Sequence, residues 1–321
     1  MKGFNTFQKY LIEEFYDDYR EGEISRRTFI RRVAFITGSM AATVVAMTAV
    51  GCRPIELPAA SEPMPQPTKP PAESAQLVPV PDAKSPLSVP EGDPAVAAGT
   101  VTFPNAAAEI KGYLAQPATA GVYPAILVCH ENRGLTAHIK DVTRRFAKAG
   151  YVALAVDLLS REGGSDKVDI DQAPGLLSGA PPERHVADFV AGLKYLQTLE
   201  TVDDARIGMT GYCFGGGITW RCAEAIPELK AAVPFYGPAP DLAQVPNIKA
   251  AVFGVYAEQD ERITPTAAPL EEALKAAGIT YQMKIYPGVN HAFHNDTGTR
   301  YVEAVAIEAW QDTLDWFAKY V

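Results

Sequence analysis

The sequence predicts an α/β fold: a mostly parallel sheet with helices on both faces. Three observations carry that reading. Short uninterrupted apolar runs such as Tyr123–Cys129 (YPAILVC), Tyr151–Val156 and Ala250–Tyr256 have the pattern of strands buried on both sides. Amphipathic stretches of helical period separate them, the alternation that builds crossover units. Residue types able to do chemistry fall just past the ends of these runs, where open α/β sheets bind their ligands.

The elements follow in order from Gly99. Val101–Phe103 and Ile110–Leu114 predict an antiparallel hairpin around Asn105-Ala106-Ala107. Tyr123–Cys129 is a buried strand, and His130-Glu131-Asn132-Arg133-Gly134 is the loop after it. Residues 139–149 predict a helix closed by Gly150, followed by the strand Tyr151–Val156 with Asp157 at its end. Ser160–Pro182 is polar and is expected to be a loop or an excursion over the site. Residues 184–199 are helical. Ile207–Thr210 is a strand, and Gly216–Ala225 its helix. Leu229–Phe235, Ala250–Tyr256 and Tyr281–Tyr286 are further strands, the helix Leu270–Ala277 lies between the last two, and Val302–Tyr320 closes the chain as an amphipathic helix.

The N-terminal third reads differently. Phe4, Phe7, Leu11, Ile12 and Phe15 recur at helical spacing within residues 1–24. Ser25-Arg26-Arg27-Thr28-Phe29 resembles a twin-arginine export signal. The 18 uncharged residues Val33–Val50 that follow suit a signal h-region and are marginal for a spanning helix. Ala49-Val50-Gly51-Cys52 resembles a lipobox with Cys52 as the lipidated residue; an uncleaved membrane anchor is the other reading. Residues 53–97 hold 12 of the 26 prolines and read as an extended tether. The expected organisation is 1–52 export signal or membrane anchor, 53–97 linker and 98–321 catalytic domain. The body of the protein is expected outside the cytoplasm, exported by the twin-arginine translocase and tethered to the membrane.

Composition excludes some functions. A net charge of −9, with no basic run in the folded part, argues against a nucleic-acid partner. Cys52, Cys129, Cys213 and Cys222 form no metal-ligand spacing and no disulfide framework, and no metal or other cofactor is expected.

The chemistry centres on Arg206–Trp220, RIGMTGYCFGGGITW. Gly211-Tyr212-Cys213-Phe214-Gly215 is the G-x-S-x-G nucleophile elbow with cysteine in the serine position. Strand before and helix after are what that motif needs: a strained turn exposes the nucleophile and leaves a backbone N–H free for an oxyanion. Asp260 follows 47 residues on and His291 a further 31, the order nucleophile, acid, histidine. Glu258 and Glu261 are rival acids by position alone. With Glu131, Gln259-Asp260 and Asn290-His291-Ala292-Phe293, the chain from about Thr100 to Val321 resembles the dienelactone hydrolase family of α/β-hydrolases.

The resemblance implies a small lactone or ester substrate and a thioester intermediate. It makes Cys213 the nucleophile, His291 the base and Asp260 the acid that orients it. It gives Glu131 a part in forming the thiolate, and the oxyanion hole to the backbone N–H groups of Phe214 and Asn132. The family's substrate-carboxylate arginine four residues after the histidine is Asn295 here; Arg161 or Arg184 are the candidates to replace it. Cys129 and Cys222 read as buried structural thiols. The alternative is a catalytically silent binding lipoprotein on the same fold. A redox role is disfavoured, because Cys222 lies about 13 Å along a helix from Cys213, and a peptidase would need a gating domain.

Overall fold

The computed structural model describes residues 3–38, 40–50, 77–106 and 108–321. An eight-stranded sheet organises them: β1 (Val96–Asn105), β2 (Ala108–Pro117), β3 (Tyr123–Cys129), β4 (Val152–Val156), β5 (Val202–Tyr212), β6 (Ala231–Phe235), β7 (Ala251–Ala257) and β8 (Tyr281–Tyr286). Their spatial order is β1-β2-β4-β3-β5-β6-β7-β8. β1 and β2 form the expected hairpin, longer than the sequence pattern marked, and β2 also runs antiparallel to β4. The strands from β4 to β8 are parallel. This is the α/β-hydrolase arrangement. The central strands β4, β6 and β7 are buried throughout, which is why they read as unbroken apolar runs.

Nine α-helices are described: α1 (Thr6–Arg20), α2 (Arg26–Thr37), α3 (Met40–Ala49), α4 (Ala137–Lys148), α5 (Ala173–Gly179), α6 (Pro182–Gln197), α7 (Phe214–Ala225), α8 (Ala267–Ala276) and α9 (Glu303–Tyr320). The stretch 160–182 is not a plain loop: it contains α5, and the side chain of Asn5 bonds to Ser178 there. Asp157 turns that excursion, accepting from the backbone N–H groups of Leu159 and Ser165 and from the Ser165 hydroxyl.

The end of the linker packs on the domain. Val89 is buried; its N–H donates to Asp141 and its carbonyl accepts from Arg144. Asp141 and Asp296 share Arg145, and Asp296 also takes His138 Nδ1 at 2.9 Å and the Ser85 N–H. This buried network fastens residues 85–89 to α4 and to the loop after β8.

α1 and α2 are also part of the folded body. An Asn5–Gln8 capping box starts α1. Phe7, Leu11, Ile12 and Phe15 are buried to 3% exposure or less, as is Phe29 on α2. Ser25 caps α2, and Gly38, in the left-handed conformation, ends it. Arg32 pairs with Asp171 at 2.9 Å and Arg31 with Asp169 at 2.9 Å, so the 160–182 excursion is the seat of α2. Among the described residues no single helix is long and apolar enough to cross a membrane. Cys52 and most of the proline-rich tether lie outside the described residues.

Candidate active site

β5 runs into α7 through one sharp turn, and Cys213 occupies it with φ 57° and ψ −119°. For a residue with a Cβ this costs about 1–3 kcal/mol, and such strain persists only where surroundings enforce it. The neighbours do so through missing side chains. A Cβ on Gly211 would lie 2.3 Å from the Gly215 carbonyl oxygen; one on Gly215 would lie 2.5 Å from that of His130. Glycine at both positions lets β5, α7 and the loop after β3 approach at backbone contact.

Asp260 lies just past β7 and His291 past β8, both buried. Asp260 Oδ2 is 2.6 Å from His291 Nδ1. The rival acids do not make this contact, and Glu258 instead accepts from the Gly288 N–H. Burial opposes the charge on Asp260, but the His291 charge and hydrogen bond outweigh it and hold the carboxyl below its ordinary range. His291 Nδ1 is thereby fixed, leaving Nε2 towards Cys213. A His291 ring nitrogen and Cys213 Sγ lie within 4.8 Å of each other.

Glu131 is buried, and its Oε2 accepts from Asn295 Nδ2 at 2.8 Å. Asn295 is held in turn by Thr297, whose N–H and hydroxyl donate to its Oδ1. The residue in the place of the family's arginine therefore holds the loop carboxylate. His130 sets that loop: its Nε2 accepts from the Leu158 N–H at 3.2 Å and its Nδ1 lies 2.6 Å from the Glu131 carbonyl oxygen.

Two site residues come from α1 and were not read from the sequence. The Tyr10 hydroxyl lies 3.2 Å from Cys213 Sγ and 3.3 Å from His291 Nε2, between the two. Glu14 places its carboxylate oxygens 3.4 and 3.5 Å from Cys213 Sγ, and Oε1 accepts from Asn132 Nδ2 at 2.7 Å. The signal was present: Phe7, Leu11, Phe15 and Asp18 share a face with Tyr10 and Glu14, so polar groups interrupt an apolar stripe.

Charges around the sulfur are mostly negative. Burial first, then Glu14 and Glu131, push the Cys213 thiol well above its ordinary value. Burial also raises the Tyr10 phenol, as do Cys213 and Glu14, so Tyr10 is neutral. Burial works against ionisation of Glu14, but His291 and Arg262, with hydrogen bonds from Tyr10 and Cys213, keep its carboxyl below the usual range. Glu14, Cys213 and His291 could also converge on a metal ion by distance.

A cavity of about 490 Å³ reaches Cys213 and His291 and is bordered by Glu14, Glu131, Asn295 and Arg300. Arg161 and Arg184 do not line it. They pair with Asp188 and Glu162 instead, so neither replaces the absent arginine. A larger hollow of about 1260 Å³, bordered by Phe103, Val186 and Glu224, contains none of the predicted site residues. Cys129 and Cys222 are buried, and burial raises both thiols, as expected of packing residues.

Known proteins resemble most of this chain in sequence and fold. The dienelactone hydrolase family model matches residues 110–321, beginning after α1, α2 and α3. A protein of Methylorubrum extorquens provisionally named carboxymethylenebutenolidase is 38% identical over 224 residues, covering 66% of this chain and 77% of its own. A Salmonella typhi protein of the same provisional name is 35% identical over 227 residues, covering 66% and 83%. A solved structure from Klebsiella pneumoniae, provisionally described as a dienelactone hydrolase, is 34% identical with a TM-score of 0.66, covering 70% of this chain and 100% of its own. A dienelactone hydrolase-like promiscuous phosphotriesterase from metagenomic libraries, at 22% identity and TM-score 0.64, covers 70% of this chain and 99% of its own and shares the fold.

Proposed function

Because the chain belongs to the dienelactone hydrolase family, we propose that it is a cysteine-dependent hydrolase that opens a lactone or cleaves a carboxylic ester through a thioester. The observation that carries this reading is Cys213 held on a positive-φ elbow beside a His291 already oriented by Asp260 at 2.6 Å. The Cys213 thiol gives its proton to His291 Nε2 as sulfur attacks the acyl carbon. The carbonyl oxygen takes the negative charge and is stabilised by the backbone N–H groups of Phe214 and Asn132. Collapse breaks the ester C–O bond, and His291 returns the proton to the leaving alkoxide. Water, deprotonated by His291, then hydrolyses the thioester and regenerates the thiol. Asp260 holds the tautomer and stabilises the imidazolium.

A buried thiol beside carboxylates is a poor nucleophile in the resting state. In this reading Glu131 leaves Asn295 when substrate arrives and promotes loss of the Cys213 proton. With asparagine at 295, where it offers no charge to a substrate carboxylate, carboxylate-bearing lactones gain little over neutral esters. Export by the twin-arginine route remains part of the proposal, supported by Arg26 and Arg27, both exposed on α2. Membrane attachment through the N-terminal region, with Cys52 as the lipidated residue, belongs to the same proposal.

The test is hydrolysis of a short p-nitrophenyl ester and of a dienelactone by the full chain, compared with Cys213→Ala. Loss of both activities in the variant supports the reading. Equal rates remove Cys213 from the mechanism, and no activity even with α1 dislodged from the site favours a binding protein on this fold.

A further inference from the structure

We infer that α1 is a built-in blocking segment: its Glu14 carboxylate and Tyr10 hydroxyl fill the acyl and leaving-group positions of the site, and the hydrolase is latent until α1 lifts away. The inference rests on the assignment of Cys213 and His291 as nucleophile and base, and it concerns regulation of that site.

Glu14 sits where a substrate carbonyl has to be. Its two oxygens lie 3.4 and 3.5 Å from the sulfur, and one accepts from Asn132, the residue whose backbone is assigned to the oxyanion hole. A carboxylate against the nucleophile has the shape and charge of the acid product of ester hydrolysis. Tyr10 occupies the other half of the site. A nucleophile and its base exchange a proton across a direct hydrogen bond, yet the Tyr10 oxygen stands between Sγ and Nε2, at 3.2 and 3.3 Å. Cys213 itself is 3% exposed with α1 in place.

The seat of α1 is made by the catalytic loops. Arg262, two residues after Asp260, pairs with Asp17 at 2.8 Å. Arg300, in the loop after His291, pairs with Asp18 and Glu21, both at 2.7 Å. Asn290, next to His291, donates to Glu21. Phe7 packs its ring on Phe214, the residue after the nucleophile, with centroids 4.9 Å apart. The family match begins only at residue 110, so α1 is an addition laid over a site that the rest of the chain already completes. Cleavage ahead of Cys52, or a translocase drawing on α2, would remove α1 and open the site by the same event that delivers the protein.

The experiment uses the full chain and reads Cys213 directly. Alkylation by iodoacetamide is followed at the Cys213 peptide by mass spectrometry, alongside hydrolysis of p-nitrophenyl acetate. Two variants loosen α1 without touching the catalytic residues: Phe7→Ala/Leu11→Ala removes the apolar anchor, and Asp17→Asn/Glu21→Gln removes the Arg262–Asp17 and Arg300–Glu21 pairs at the rim. The second leaves the apolar face of α1 intact and covers the case in which the first does not fold; circular dichroism checks both. The expected result is at least about ten-fold faster alkylation and faster hydrolysis, since a blocked site reacts in proportion to its open population. Unchanged alkylation in folded variants overturns the inference. Faster alkylation with hydrolysis lost also overturns it, because Tyr10 and Glu14 would then be participants in the reaction. Failure of the underlying assignment is separate and shows as hydrolysis that survives Cys213→Ala.

Discussion

Asp260 and His291 lie 2.6 Å apart, and the carboxylate of that pair has one predictable task. Asp260→Asn leaves the shape of the site unchanged but favours the wrong tautomer of His291. Steady-state hydrolysis should fall by about 10³–10⁴-fold in kcat with little change in KM; a fall below ten-fold would mean that Asp260 is only structural. Asn295 governs selectivity at the same scale. It bonds Glu131 at 2.8 Å and offers no charge to a substrate carboxylate. The ratio of kcat/KM for a carboxylate-bearing lactone over a neutral ester should therefore be near unity, and Asn295→Arg should raise it. A strong preference for the acidic lactone in the unaltered protein would point to another cation in the cavity, with Arg133 and Arg300 as the candidates that border it.

At the scale of elements, the elbow was legible because its demands are written in residue types. Only glycine fits at 211 and 215, where backbone passes within 2.6 Å of an added Cβ. Gly215→Ala should cost at least about 1–3 kcal/mol, the penalty of forcing an atom into a packed interior, and should be visible in urea unfolding. A loss under 0.5 kcal/mol would show that the turn can open. The strands were equally legible, since burial on both faces leaves nothing but apolar residues. What could not be read was tertiary: which surface the amphipathic N-terminal helix covers. Phe7, Leu11 and Phe15 declared a face, but a periodicity says only that the face is buried, not against what. Glu14 and Asp18 on that face were the overlooked sign that the surface beneath is polar. The helix inside the 160–182 excursion is hidden from the sequence for a related reason. α5 is only seven residues long and gains its stability from packing that the local sequence does not display.

The whole molecule carries several buried histidines, and these set its response to acid. Burial lowers His185 from 6.5 to about 4, and burial likewise lowers His130 and His294. Below pH 6.5 the unfolded chain binds protons at these sites that the folded chain refuses. Stability therefore rises with pH between about 4 and about 6.5, is fully present above that window and is lost on acidification. For His185 the shift corresponds to on the order of 3 kcal/mol. Asp296 acts in the same direction at lower pH. Burial opposes its charge, but the His138 bond and Arg145 hold its carboxyl well below the ordinary range, so its contribution disappears only as pH falls below about 4. Thermal melting across pH 4–8 should show the midpoint dropping on the acid side, and His185→Gln should flatten the upper part of that drop. An unchanged profile would mean that His185 is protonated in the folded chain.

A thioester on Cys213 is open to trapping. The full chain carrying Asp17→Asn/Glu21→Gln is mixed with p-nitrophenyl acetate, quenched in acid and mapped by peptide mass spectrometry. One acetyl group on Cys213 is expected during turnover, with p-nitrophenol release abolished when Cys213→Ala is added. Acetylation at another residue, or undiminished release from the Cys213→Ala protein, would contradict a thioester on Cys213.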